Sequence, residues 1–456
     1  MTTHKHDNIT IIQGDCRDVL KDFKRSVTAV VTDPPYGISF MGSGWDHAVP
    51  GVDFWSVIQS VCLPGSYMLA FGGTRTYHRQ TCAIEDAGWL IRDCLMWVYG
   101  SGFPKSHNIS IALDKVAGAD REIVGHWKPT GTARPNKDGS GHRGRASSSA
   151  YNYDPDDNVL IPITKPATPN AQTWDGWGTA LKPALEPICL AQNPREGTFV
   201  DNVLKHGCGG LNVDGCRIEG GSRPAIDARG TLTPSLFGNM GGSKSIGTTD
   251  QGRFPSNLLI DDSPEVIAGF PESTDGVAGR RSKGTGIFGL GSHDHWGGYG
   301  QKSPESAARF FYCAKASRAE RDAGCDNLTP LQRDPSRQPD NPGGNNPHNR
   351  GATPVRNSHP TVKPLTLMRY LVRLLTQPER NLFLDPFAGS GSTAVACALA
   401  GLPCVAIELK PEHVDIIRAR VDWALNVRRQ LGREPDLDLS PYQKPKPQHP
   451  EQGSLF

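Results

Sequence analysis

The chain has 456 residues, 37% of them hydrophobic and 21% charged, which is enough for one large core or two medium ones. Lys and Arg total 49 against 47 Asp and Glu, so no overall positive field marks the chain for nucleic acid, and any basic surface must be local. None of the 11 cysteines forms a C-x-x-C pair, which argues against a zinc site and gives an expectation of no bound metal. No apolar run approaches the roughly 20 residues a membrane span needs, and the opening Met1–His6 has no export character, so a cytoplasmic protein with reduced thiols is expected.

Short apolar runs at Ile9–Gln13, Val27–Thr32, Ser66–Gly72 and Leu90–Tyr99 alternate with amphipathic stretches, the rhythm of strands joined by helices. This is an α/β pattern. From about Ala117 to Asn357 the texture turns to Gly, Pro, Ser and Asn with brief apolar islands at Leu185–Ala191, Asn257–Ile260 and Arg309–Ala314, which reads as a loop-rich insertion or second domain. Patterning returns at Pro364, the expected first residue of a helix with Leu365, Met368, Leu371, Val372 and Leu375 on one face. A strand over Asn381–Leu384 and a Gly-rich turn lead to a helix over Ser392–Ala400, which Gly401 and Pro403 stop. The strand Cys404–Ile407 precedes a helix opened by Pro411, with Val414, Ile417, Val421 and Leu425 inward; the tail after Gly432 is polar and Pro-rich.

Two segments carry chemistry. Asp33-Pro34-Pro35-Tyr36 follows the run Ala29–Thr32, at the carboxyl end of a strand, where open α/β sheets bind ligands. The prolines stiffen the backbone and remove two N–H donors, so Asp33 and the Pro34 carbonyl can accept both hydrogens of a ring amine while Tyr36 stacks on the ring. The second segment, Phe383 to Thr393, contains Asp385-Pro386-Phe387-Ala388-Gly389-Ser390-Gly391-Ser392 and reads as strand, glycine turn and helix start, a setting that lets a ligand approach the backbone. The full G-x-G-x-x-G pattern is absent because Ala394 stands at the third glycine's place. Glu408 ends the next strand, the usual place for an acid that binds ribose hydroxyls.

An early Asp-Pro-Pro-Tyr with a late Asp-Pro-Phe-x-Gly-Ser-Gly-Ser resembles the amino-methyltransferases of DNA in the β, circularly permuted, arrangement, where the catalytic motif comes first and the cofactor loop last. Gly14-Asp15-Cys16 and Ser358-His359-Pro360-Thr361-Val362-Lys363-Pro364 resemble supporting segments of that family, and Trp97–Lys105 and Arg309–Lys315 resemble its phage-type and orphan bacterial members. The resemblance implies a Rossmann-like, mainly parallel sheet with helices on both faces, as in class I methyltransferases. It also implies a catalytic domain split into residues 1–116 and 358–430, a target recognition insertion over 117–357 with core elements returning near 305–316, and a tail over 431–456.

By position, the resemblance makes Asp33, Pro34, Pro35 and Tyr36 the catalytic motif, with Asp33, Pro34 and Tyr36 holding the base and Pro35 shaping the loop. It assigns Asp15, Cys16, Asp33, His359, Lys363, Asp385, Phe387, Gly389, Ser390, Gly391, Ser392 and Glu408 to S-adenosylmethionine. Asp15 reads also as a helix cap, Glu408 as a solvated strand-end acid, and His359 with Lys363 as a structural turn. The implied reaction is methylation of adenine N6 in double-stranded DNA with the base flipped from the stack, inside a bacterial or phage-infected cell. N4-cytosine methylation and a catalytically silent DNA-binding regulator are the alternatives. Arg121, Lys128, Arg134, Lys137, Arg143 and Arg145 form a basic stretch that reads either as phosphate contacts or as a solvated loop. A homodimer is a further expectation from the resemblance.

Overall fold

In the computed structural model the described residues are 1–38, 46–100, 102, 106–127, 161–218, 223–227, 232–233, 240–241, 244–249, 251–261, 264–270, 272–275, 281–285, 292–296, 301–306, 311–313, 318–331 and 356–434. Ten strands form one sheet: β1 (Thr2–His6), β2 (Ile9–Gln13), β3 (Val27–Thr32), β4 (Cys62–Phe71), β5 (Leu90–Val98), β6 (Leu185–Gln192), β7 (Leu258–Ile260), β8 (Tyr312–Cys313), β9 (Phe383–Asp385) and β10 (Cys404–Glu408). Their spatial order is β1-β2-β10-β9-β3-β4-β6-β5-β7-β8. The run from β2 to β4 is parallel, β6 lies antiparallel between β4 and β5, and β1 closes one edge antiparallel to β2.

The central strands are near-continuous apolar runs because both faces of a parallel sheet are covered. Every residue of β3 and β4 is buried. Tyr67, Leu69 and Phe71 of β4 pack on one face with α4 (Leu365–Leu375), α5 (Ser392–Ala400) and α6 (Pro411–Leu431). Met68 and Ala70 pack on the other with α1 (Cys16–Leu20), α2 (Val52–Val61) and α3 (Tyr77–Asp86). In β3 the alternation slips: Val27 and Val30 share a face although three apart, and the register shift between Val27 and Ala29 absorbs the odd residue.

Three differences from the sequence pattern affect the site. The strand β6 fills the place between β4 and β5, and β7 and β8 extend the same sheet, so the stretch 117–357 supplies three core strands. Its apolar islands are short because an antiparallel or edge strand needs only a few residues between Pro-rich loops. Pro364 stands at the N-cap of α4, in extended backbone, rather than inside the helix. The strand expected over Asn381–Leu384 runs Phe383–Asp385, which brings Asp385 into the sheet.

Candidate active site

The neighbours β9 and β3 end side by side, and the chain leaves them toward opposite faces: β9 leads into α5, β3 toward α2. Such a reversal opens a crevice at the strands' carboxyl ends. A cavity of about 1190 Å³ lies there, and its lining includes Asp15, Cys16, Asp33, Pro34, Pro35, Tyr36, His359, Lys363, Asp385, Phe387, Gly389, Ser390, Ser392 and Glu408. The two sequence motifs therefore meet in one space, although about 350 residues separate them. Gly391 stands at the root of the loop instead, with φ of 77°, where a Cβ would come 2.8 Å from Ile417 Cγ2.

At one end of the cavity both oxygens of Asp33 are engaged. The Tyr36 hydroxyl donates to Oδ1 at 2.8 Å and the Lys363 ammonium donates to Oδ2 at 2.5 Å. Glu186, the second residue of β6, completes the group: its Oε2 accepts from Tyr36 at 3.1 Å and stands 3.3 Å from Lys363 Nζ. Burial pulls the Lys363 ammonium down, but the carboxylates of Asp33 and Glu186 outweigh it and hold the lysine above its usual range. Burial first, then the same two charges, raises the Tyr36 hydroxyl far above the usual tyrosine value, so it remains a proton donor. The loop itself is clamped: Asp46 accepts the N–H groups of Gly37 and Ile38 at 2.7 and 3.3 Å, and Thr76 Oγ1 donates to the Tyr36 carbonyl at 2.6 Å.

The glycine turn lies opposite. Asp385 is buried at the end of β9, with Oδ1 accepting Thr32 Oγ1 at 2.7 Å and the Phe387 N–H at 3.2 Å. Burial outweighs these donors and pushes its carboxyl up to about 7. Several turn amides are already used inside the protein: Ala388 donates to the Ile407 carbonyl at 2.9 Å, Gly389 to Glu408 Oε2 at 2.8 Å and Gly391 to the Ala388 carbonyl at 2.7 Å. The first-turn N–H groups of α5, from Ser392 on, have no carbonyl a turn earlier to bond and are the ones left for a ligand. Glu408 also accepts the Lys410 N–H at 2.9 Å, so this strand-end acid fixes the turn as well as lining the cavity.

Asp15 caps α1, accepting the Arg17 N–H at 2.8 Å, and its carboxylate also holds the Arg17 guanidinium, the main cause of its lowered pKa. Arg17 in turn lies 4.1 Å over the Phe54 ring, and Phe54 stands 5.7 Å from Phe387, so cap, cation and two rings form one wall. Cys16 is buried, and burial pushes its thiol up to about 12, away from thiolate chemistry. His359 is driven down to about 3, first by burial and then by His413, whose ring lies 4.6 Å away. Its neutral imidazole hydrogen-bonds the Thr361 carbonyl at 2.7 Å and backs Gly389.

Sequence reasoning missed Glu186, Asp46, Thr76 and Arg420. Arg420, fully buried in α6, donates to the Ser390 carbonyl at 2.6 Å and pins the turn from behind. Burial lowers its pKa to about 10, which still leaves it charged at neutral pH. Arg121, read as a phosphate contact, bonds Asp114 at 2.6 Å, Ser110 at 3.1 Å and Thr164 at 3.0 Å within the protein. Lys128, Arg134, Lys137, Arg143 and Arg145 lie outside the described residues. Among the described residues no cluster of His, Cys, Asp and Glu is arranged to hold a metal, and no helix is long and apolar enough to cross a membrane.

Comparison with known proteins gives one direction. The family model described as DNA methylase, of the N6/N4 class, matches residues 242–419, which takes in Lys363, the glycine turn and Glu408 but begins after Asp33–Tyr36. Putative methylase YubD of Escherichia coli (strain K12) is 46% identical over 55 residues, 12% of this chain and 24% of that protein. Type II methyltransferase M2.MboI of Moraxella bovis is 37% identical over 66 residues, 14% of this chain and 24% of that protein. The matched segment thus spans about a quarter of the length of these curated relatives. The crystal structure of M1.HpyAVI covers 91% of this chain and 98% of its own at 12% identity, with a TM-score of 0.36, so the fold assignment rests on the strand order itself. By sequence, residues 242–419 are similar to DNA methylases of the N6/N4 class, and short stretches of the chain are similar to the two methyltransferase relatives.

Proposed function

We propose that the chain is an S-adenosylmethionine-dependent, site-specific DNA methyltransferase that methylates N6 of adenine in double-stranded DNA. The observation that carries this reading is the convergence of Asp33–Tyr36 and the turn Pro386–Ser392 on one cavity at the reversal between β3 and β9. The residues present fit the cofactor. The turn has Phe387 as an apolar wall, a buried acid at Asp385 for an amino group, and Glu408 at the end of the next strand for ribose hydroxyls. A Cβ at Gly389 would come 2.8 Å from His359 Nε2, so the turn can lie against His359 only because this residue is glycine. When bound, S-adenosylmethionine supplies a methyl group already activated on a sulfonium.

The protein's part is then binding and alignment. A base inside a duplex cannot offer its amine, so it is flipped into the pocket at a cost of a few kcal/mol. Asp33 and the Pro34 carbonyl accept the amine hydrogens, which orients the nitrogen lone pair toward the glycine turn, and Tyr36 closes on the base. Asp46 and Thr76 keep that loop in one conformation, as near-attack alignment requires. Aspartate at the first motif position favours adenine over cytosine, whose enzymes more often carry serine there. Choice of target sequence falls to the stretch 117–357, with Lys128, Arg134, Lys137, Arg143 and Arg145 as candidate phosphate contacts.

The test is incubation of the pure protein with S-adenosylmethionine and unmethylated genomic DNA, followed by digestion and mass spectrometry of the nucleosides. N6-methyladenine is the expected product. N4-methylcytosine would overturn the base assignment, and no methylated nucleoside despite cofactor binding would overturn the enzymatic reading in favour of a DNA-binding regulator.

A further inference from the structure

Glu186 comes from neither motif, yet it touches both donors that occupy Asp33. Oδ1 of Asp33 accepts from Tyr36 at 2.8 Å and Oδ2 from Lys363 at 2.5 Å, while the single oxygen Oε2 of Glu186 stands 3.1 Å from the same hydroxyl and 3.3 Å from the same ammonium. Building on the methyltransferase reading, we propose that Glu186 is a positioning residue that takes Lys363 and the Tyr36 hydroxyl from Asp33 when a base amine arrives.

A carboxylate that already holds an ammonium at 2.5 Å has much of its charge neutralised and is a weakened acceptor for an amine that carries no charge of its own. To orient the amine, Asp33 must regain that charge, so the lysine needs another acceptor within reach. Closing the 3.3 Å gap to Glu186 takes a movement of about half an ångström to reach an ordinary charge-assisted hydrogen bond. The lysine side chain is only 8% exposed, its Nζ lies 4.8 Å from the Phe71 ring centroid, and Phe71 belongs to the buried β4, so the ammonium has little water to turn to. Glu186 itself is fixed by the sheet: it pairs with Trp97 across β5 and precedes Pro187. Tyr99, the remaining titratable neighbour, has its hydroxyl held up by burial and by the charges of Glu186 and Asp261, so it faces Glu186 as a neutral donor.

Asp33, Glu186 and Lys363 together carry one excess negative charge, and transfer of Lys363 to Glu186 concentrates it on Asp33, beside the nitrogen that becomes positive as the methyl group moves. Glu186→Gln removes the excess charge, and Glu186→Gln with Lys363→Met restores it.

Single-turnover methyl transfer to unmethylated genomic DNA, with S-adenosylmethionine binding by calorimetry, should be measured for the wild type, E186Q and E186Q/K363M. The expectation for E186Q is a loss of rate of about 30-fold or more at a cofactor Kd within about threefold of wild type, and a recovery of about tenfold in the double variant, as expected for an electrostatic group acting at the transition state. A merely structural ion pair would show its loss and its rescue in Tm and cofactor Kd together with the rate, because removing both members of a buried pair relieves the uncompensated charge; the proposal requires the rate alone to fall and recover. An E186Q rate within threefold of wild type, or a double variant no faster than E186Q, would overturn the proposal. If E186Q does not fold, Glu186→Asp, which keeps the charge but widens the gap to Nζ, should also lose rate at a cofactor Kd within about threefold of wild type, and an E186D rate within threefold of wild type would overturn the proposal. A wild-type protein that transfers no methyl group would refute the methyltransferase reading itself, and this inference with it.

Discussion

Gly389→Ala tests whether the glycine turn is the cofactor cradle. Gly389 has φ of 54°, in the left-handed region, and a Cβ there would lie 2.8 Å from His359 Nε2 and 3.0 Å from its Cε1. Neither side yields easily. His359 is held by the Thr361 carbonyl at 2.7 Å and by Asn357 Oδ1 at 3.1 Å, and Gly389 is held by Glu408 at 2.8 Å. A left-handed alanine costs roughly 1–2 kcal/mol, and forcing a methyl group into a filled space costs about 1–3 more. The total of about 2–5 kcal/mol must appear somewhere. If the turn keeps its shape the Tm falls; if it moves off His359, S-adenosylmethionine binding weakens by ~30-fold or more, since each 1.4 kcal/mol is about tenfold. Calorimetry of cofactor binding and a thermal melt on the same sample measure both. An unchanged Tm together with a Kd within threefold of wild type would refute the assignment of this turn.

Three other outcomes follow from the same geometry. Asp385, lifted to about 7 by burial, gives stability that is fully present below the unfolded value of 3.8 and lost as pH rises through 7. Asp385→Asn, whose amide oxygen can keep the Thr32 and Phe387 bonds, should therefore gain Tm relative to wild type as pH rises from about 4 to about 7 and show a level difference above that; a constant difference across that window would contradict the raised pKa. Asp46→Ala frees the N–H groups of Gly37 and Ile38 at about 1–3 kcal/mol each. It should lower kcat with cofactor Kd unchanged, and equal losses in both would mean that Asp46 supports the whole pocket rather than one loop. Arg420→Met leaves the Ser390 carbonyl without its guanidinium donor and should weaken cofactor binding and lower Tm, by about 1–3 kcal/mol in all. Arg420→Lys should rescue only partly, because one ammonium cannot reproduce the planar fork that also reaches the Glu320 carbonyl at 3.5 Å.

The parts legible in the sequence were those with local signatures. Val27–Thr32 reads as a buried strand from its composition, and Ser392–Ala400 as a helix from the glycines that bound it, both of which take up the left-handed backbone. Asp33–Tyr36 and the turn at Gly389 were visible as motifs because each is contiguous. Residues that act through distance left no such mark. Asp46 reaches back 9 residues to Gly37, and Arg420 reaches 30 residues to Ser390, with nothing in the intervening spacing to link them. Glu186 left a faint signal, a single acid inside the apolar run Leu185–Ala191, but the Pro-rich surroundings hid the fact that this run is a core strand. The family position of Lys363 implies a cofactor contact; its ammonium also reaches Asp33 and Tyr36 at 2.5 and 3.1 Å, contacts that only the assembled sheet reveals. The basic residue Arg121 illustrates the converse: charge in a Gly-rich stretch reads as an open cation, yet Asp114 lies 2.6 Å from it.

On the proposed reading, one cavity holds the methyl donor at its glycine turn and the acceptor amine at Asp33. Binding of S-adenosylmethionine and methyl transfer to DNA, measured side by side for wild type and Asp33→Ala, separate the two ends. The expected result for Asp33→Ala is a cofactor Kd within threefold of wild type and a transfer rate lower by about 10²–10³, the usual cost of removing one preorganised polar group at a reacting centre. An Asp33→Ala protein that methylates DNA near the wild-type rate, or one that loses the cofactor along with the activity, would contradict it.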